Sequence, residues 1–132
     1  MIIQLKMIKQ IDAGLYDECL KHGFSYGYVG NFLSKEDFLS RGLGFCVLHD
    51  GEIVGGASSY TIYTGGIEID VAVRDDHQRK GLATACSAYL ILECLDRSLY
   101  PSWDAANLES VGLAEKLGYH FDYEYICYGI KE

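Results

Sequence analysis

The chain is short of basic residues, of proline and of long apolar runs, and each shortage removes a class of protein. Eleven Lys and Arg stand against nineteen Asp and Glu, a net charge of −8 with a pI near 4.9. A surface that holds nucleic acid needs a basic face, so no nucleic-acid partner is expected. No run of 18 apolar residues occurs, so neither a membrane-spanning helix nor a membrane partner is expected. The opening MIIQLKMIKQ has no long apolar core and no small-residue cleavage site, which speaks against a secretory leader and for a cytoplasmic protein. There is no C-x-x-C, and the four histidines fall at no metal-ligand spacing, so no metal centre is expected. No repeat, low-complexity tract or shift in composition marks a boundary; residues 1–132 read as a single domain.

What is present is a globular composition, 49% hydrophobic and 23% charged, long enough for a real core. The five cysteines, Cys19, Cys46, Cys86, Cys94 and Cys127, are odd in number and lie among apolar neighbours, as buried reduced thiols do. In chain order, residues 4–9 suggest a first strand. Asp12 can cap a helix running to about Lys21, with Leu15, Cys19 and Leu20 inward. Residues 22–32, HGFSYGYVGNF, read as a loop. Its aromatics either pack over a core edge or line a substrate pocket together with the 60–64 region. Ser34 with Asp37 forms a capping-box pattern ahead of a short helix through Phe38, Leu39 and Arg41. Gly42 and Gly44 end it. Three antiparallel strands at about 44–49, 52–63 and 66–73 follow, joined by Asp50-Gly51 and Thr64-Gly65-Gly66, with Gly55-Gly56 marking a bulge or a close approach.

The organising stretch is residues 67–97. Ile67, Ile69, Val71 and Val73 alternate with Glu68, Asp70 and Ala72, a strand with two unlike faces. Residues 74–80 form a turn with three positive charges, Arg74, Arg79 and Lys80, and Gly81 ends it. Leu82, Cys86, Tyr89 and Leu90 then give a helical stripe. A helix N-terminus behind a strand, beside Arg79 and Lys80, is suited to an anion, and a residue without Cβ lets phosphate oxygens reach the backbone. Leu99 to Trp103 reads as a strand in which Pro101, unable to donate to a ladder, requires an edge, a bulge or a strand end. Asn107 can cap a helix over 108–117 stopped by Gly118, and residues 119–130 alternate as one strand with a wet side. The expected class is α/β (α+β): a mixed, mostly antiparallel sheet flanked by helices. The tyrosine-rich C-terminal strand offers an edge for pairing two copies as a homodimer.

Gln78-Arg79-Lys80-Gly81-Leu82-Ala83 resembles the Q/R-x-x-G-x-G/A signature of the GNAT superfamily of N-acetyltransferases, which grips the pyrophosphate of acetyl-CoA. The order of elements is also that of the GNAT fold, in which two central strands splay apart to admit the pantetheine arm. The segment from Trp103-Asp104 through Asn107, Ser110, Leu113 and Lys116 to Gly118-Tyr119 is similar to the second conserved block of these enzymes. Its W-D-x-x-N lead-in is closest to the group that includes the zwittermicin-A-resistance acetyltransferases. Members of that group tend to be longer at the N-terminus, so the chain reads as a pared-down version. The likeness covers about residues 38–130.

The resemblance implies that acetyl-CoA is the cofactor. The backbone at Val71, Ala72 and Val73 would bond the pantetheine amides. The backbone of Gln78, Arg79, Lys80, Gly81, Leu82, Ala83 and Thr84 would cradle the pyrophosphate. Asn107 would contact the pantetheine region unless it is a plain helix cap, and Ser110 would approach the cofactor unless it is an ordinary first-turn polar residue. The activity implied is direct transfer of acetyl to a primary amine of a small molecule. The amine must lose a proton before it attacks, and a carboxylate whose pKa is raised by burial can take it. Glu68 is the first candidate for that base and Asp70 the second. The Val71 N–H is the expected donor to the thioester carbonyl. Ala114 stands where these enzymes often carry a tyrosine acid, leaving Tyr60, Tyr63, Tyr119 or water to protonate the thiolate. The competing expectation is a non-catalytic module that binds or senses acyl-CoA.

Overall fold

The computed structural model describes residues 6–78, 81–104, 119–122 and 127–130. Strand β1 (Lys6–Gln10) leads into α1 (Ala13–Leu20), a short helix α2 (Gly23–Tyr26) and α3 (Lys35–Arg41). The meander β2 (Gly44–His49), β3 (Glu52–Tyr63) and β4 (Gly66–Val73) follows as expected. A single 3₁₀ turn (Asp75–His77) then precedes α4 (Leu82–Asp96), β5 (Tyr100–Asp104), β6 (Tyr119–Asp122) and β7 (Cys127–Ile130). The strands form one mixed sheet in the order β1-β2-β3-β4-β5-β7-β6, antiparallel except where β4 meets β5.

Local chemistry sets the boundaries. The Asp12 carboxylate accepts from the Leu15 N–H at 2.9 Å and starts α1; Ser34 Oγ accepts from the Asp37 N–H at 3.0 Å and starts α3. The Asp37 carboxylate does not close a capping box on Ser34 but accepts from the Leu33 N–H one residue further back, at 3.1 Å. Asp50 and Gly51, both at positive φ (52° and 82°), make the tight β2–β3 turn.

The β2–β3 register slips between Val47 and Leu48, so Val54 bulges; Tyr60 is the extra residue in a second slip, against β4. Gly56 is the close approach: a Cβ there would sit 2.7 Å from the Tyr28 ring. Pro101 lies near the start of β5. Since the Tyr100 N–H turns to β4, the missing Pro101 donor falls on the other side, where pairing with β7 begins only at Trp103.

Two cores lie on opposite faces of the sheet. One packs Leu82, Cys86, Leu90 and Cys94 of α4 against Phe45, Val47, Ile67 and Ile69. The other packs Leu15, Tyr16 and Cys19 of α1 with Tyr28, Val29 and Phe38 against Cys46 and Ile53. Cys19, Cys46, Cys86 and Cys94 are all buried free thiols.

Three expectations are corrected. Residues 119–122 and 127–130 are two antiparallel strands, with Tyr119 opposite Ile130 and Asp122 opposite Cys127, because alternation does not mark where one strand ends and the next begins. Of these, β6 is a sheet edge while β7 is enclosed between β5 and β6. Tyr89 is 53% exposed; the α4 stripe continues through Cys94, at i+4 from Leu90, and Tyr89 sits off its centre. On α1 it is Tyr16, not Leu20, that turns inward. The expected helix over 108–117 lies outside the described residues.

Candidate active site

The direction of the β4 backbone can be read from one bond at its end. The Arg74 N–H donates to the Val54 carbonyl at 2.8 Å, so Arg74, Ala72 and Asp70 turn their peptide groups toward β3. Val71 and Val73 therefore turn theirs to the opposite side, toward β5. The β4–β5 pairing runs only from Gly66 opposite Tyr100 to Ile69 opposite Trp103. Among the described residues no strand pairs with β4 on that side from Asp70 to Val73. The sheet thus carries a seam, with the Val71 and Val73 peptide groups on its wall. The side-chain amide of Gln78 donates to the Val73 carbonyl at 2.7 Å and ties the following turn to the upper end of the wall.

Ala72, grouped with Val71 and Val73 on sequence grounds, is different. Its peptide faces β3, and its carbonyl accepts the phenol of Tyr28. Burial pushes the Tyr28 hydroxyl above its ordinary pKa, which keeps it a donor.

Beyond the seam the chain passes through Asp75–His77 to Gly81, whose φ of +76° is left-handed. Among the described residues a Cβ at Gly81 would meet nothing within 4 Å. The glycine is thus required by the backbone. Leu82, Ala83 and Thr84 form the first turn of α4, which has neither a side-chain cap nor an acidic residue. Their N–H groups keep the partial positive charge of an open helix end. Arg79 and Lys80 of this turn lie outside the described residues, as do Asn107, Ser110 and Ala114.

Glu68 and Asp70 are both half-buried on the β4 face that looks toward α1–α3. Asp70 lies under the α2 turn: a Cβ on Gly27 would be 2.8 Å from Asp70 Oδ2. The buried Ser58 faces Asp70 across the β3–β4 ladder, and its hydroxyl donates to the Tyr28 carbonyl at 2.6 Å. Desolvation alone pushes the Asp70 carboxyl above its ordinary pKa. On the same face, lower down, the Tyr63 and Ser102 hydroxyls are 2.5 Å apart, and Asn31 Nδ2 donates to the Tyr60 carbonyl at 2.8 Å. This ties the 22–32 loop to the β3 bulge. Tyr28 and Val29 are fully buried, as packing over a core edge requires, while Tyr26 is 52% exposed.

Two features gave no signal in the sequence. The burial of Asp70 follows from Gly27, distant in sequence, folding over it. The other is a contact between His49 and His77, 28 residues apart, described below. Neither spacing matches a motif.

A family model described as GNAT acetyltransferase matches residues 4–128. A curated relative from Bacillus subtilis (strain 168), the uncharacterized N-acetyltransferase YdfB, is 30% identical over 124 residues, or 92% of this chain and 47% of its own. The crystal structure of a GCN5-related N-acetyltransferase-like protein from Streptococcus suis 89/1591 superposes with a TM-score of 0.89 at 53% identity, over 94% of this chain and 50% of that one. The chain spans about half the length of each of these two relatives. A putative acetyltransferase from Salmonella typhimurium, solved with acetyl-CoA, shares the fold at a TM-score of 0.68 and 16% identity, over 89% of this chain and 80% of its own.

Proposed function

Since this chain belongs to the GNAT acetyltransferase family, we propose that it is an N-acetyltransferase moving acetyl from acetyl-CoA to a primary amine of a small molecule. The observation that carries this reading is the seam: β4 outruns its pairing with β5, turns Val71 and Val73 into the gap, and leads to the left-handed Gly81 at an open helix end. A pantetheine arm has amides to satisfy those two residues. A diphosphate suits the amides from Gln78 to Thr84, with Arg79 and Lys80 adding charge. Asn107 and Ser110 belong to the same proposal as contacts to the arm. Ala72 is left out of it, because its peptide is already engaged by β3 and Tyr28.

Acetyl-CoA, when bound, would supply the thioester carbonyl, and the Val71 N–H would be the donor to its oxygen. Asp70 is the base to test first, because burial raises its carboxyl so that it can draw a proton from an incoming ammonium, and Val71 is its immediate neighbour. Glu68, two residues back on the same face, is the second candidate and attracts the cationic acceptor. Negative charge over the rest of the chain favours such a substrate. The likeness to the zwittermicin-A-resistance group makes an amino-modified antibiotic or metabolite the acceptor to try first.

The test is thiol release from acetyl-CoA over a panel of amines, with Asp70→Asn and Glu68→Gln alongside the unaltered protein. Turnover lost about a hundredfold or more in Asp70→Asn, with cofactor affinity kept, supports the reading; general bases typically contribute 10²–10⁴. Tight CoA binding without turnover on any amine would instead mark a non-catalytic acyl-CoA-binding module. No CoA binding at all would remove both.

A further inference from the structure

His77 closes the 3₁₀ turn just before Gln78 and is only 7% exposed. Its Nε2 lies 3.1 Å from Nδ1 of His49, the last residue of β2, with the rings 5.2 Å apart and tilted at 67°. Its Nδ1 lies 3.0 Å from the Asp76 carboxylate and 3.4 Å from Arg74 Nη2, which itself donates to Asp76 Oδ2 at 3.0 Å. The shorter contacts set the hydrogens along this chain. The Arg74 guanidinium, then His77, holds the Asp76 carboxyl well below its usual pKa, so Asp76 is an acceptor only. His77 Nδ1 therefore carries its hydrogen toward Asp76, and the neutral ring leaves a lone pair on Nε2. His49 Nδ1 must then donate to that lone pair. This leaves the far nitrogen of His49, Nε2, as a bare acceptor. It is buried without a hydrogen-bond partner among the described residues, and Asp50 Oδ2 stands 3.7 Å away.

The pair accommodates one added proton and resists two. A proton on His49 Nε2 points at Asp50 and leaves the His49–His77 bond intact. A second proton, on His77 Nε2, sets N–H against N–H. Among the described residues the charged groups around the rings are Asp50 of the hairpin, Glu52 of β3 (3.2 Å from Arg74), Arg74 at the end of β4, and Asp75 and Asp76 of the 3₁₀ turn.

We infer that His49 and His77 are positioning residues for the phosphate turn: by sharing one hydrogen bond they anchor the segment before Gln78 to the tip of the β2–β3 hairpin, and that anchor is lost when both rings are charged. The inference rests on the reading of residues 78–84 as the CoA turn. The pH range of the experiment is the one in which imidazole side chains in general take up protons.

The experiment pairs two measurements. Nitrogen-15 NMR of labelled histidines, without CoA, reads tautomers and proton uptake directly. A hydrogen on Nδ1 of both rings at pH 8, and one proton taken up by the pair before the second, is the expected result. Calorimetric titration of CoA from pH 8 to pH 5 reads the consequence in the unaltered protein and in His49→Asn. An asparagine amide reaches the position of Nδ1 and can flip between donor and acceptor, so it keeps the contact whatever the charge on His77. CoA's own phosphates titrate in the same window, so the comparison between proteins is the readout.

The unaltered protein should lose about tenfold or more in affinity toward pH 5 relative to His49→Asn, about 1.4 kcal/mol. The two should agree within about threefold at pH 8, less than the 1.4 kcal/mol of a tenfold change. Independent titration of the two rings, or parallel affinity curves for the two proteins, overturns the inference while leaving the CoA site standing. If CoA binds at no pH, the site reading falls and the positioning role falls with it, whatever the NMR shows.

Discussion

Replacing Gly81 by alanine separates what the backbone requires from what a ligand requires. At φ +76° an L-residue with a Cβ is strained by about 1–2 kcal/mol. Nothing among the described residues lies within 4 Å of the Cβ position, so they add no steric term to the strain. For a chain of this size that corresponds to a fall in Tm of roughly 4–8 °C. The strain is the same with and without ligand, so it cancels from the binding equilibrium. Affinity changes only if the new methyl meets something that arrives with the ligand. If a phosphate oxygen is bonded by the backbone beside Gly81, the methyl displaces it and removes a hydrogen bond to a charged group, about 1.5–3 kcal/mol, or a loss of about 10–150-fold in Kd. Thermal melts without ligand and calorimetric titration with CoA give the two numbers separately. A protein that melts several degrees lower yet binds CoA with unchanged Kd would refute the phosphate reading and leave Gly81 as a backbone requirement alone.

Two further outcomes follow from the packing and the charges. The raised Asp70 carboxyl means that the native state holds this proton to higher pH than the unfolded chain does. Stability therefore falls as pH rises through that window, and the full cost is present at neutral pH. Asp70→Asn should raise Tm at about pH 7 and leave it unchanged at about pH 3, where both states are protonated; a fall at pH 7 would contradict the desolvation account. Leu90→Ala, at a fully buried position of α4, should cost about 2–5 kcal/mol in denaturant melts. A cost under about 1 kcal/mol would show that the α4 face is not packed as described.

Local signals in the sequence carried the boundaries well. Asp12 and Ser34 cap the helices they were expected to cap, and Asp50-Gly51 makes the expected hairpin, because each acts over three or four residues. The strand limits of the meander follow from those turns. Tyr89 went astray because a helical stripe is about 100° wide and its edge residue can fall either way. The C-terminal pair reads as one strand in the sequence because the alternation of two short strands looks like that of one long strand. In the site, the left-handed glycine and the acids of β4 were visible as residues, but their ranking was not. Asp70 is proposed as the first base to test because Gly27, from another element, closes over it. The His49–His77 contact is likewise a product of tertiary geometry, joining the end of one strand to the turn after another.

The gap beside Val71 and Val73 also bears on association between molecules. Unpaired ladder groups on an outer strand invite a foreign strand to add there. Here they sit in mid-sheet, with β3 on one side and β5 crossing the lower half of the other. A neighbouring chain cannot approach them sideways as it could approach β1 or β6. Hydrogen-bonding capacity is thus kept available for a slender guest and withheld from self-association.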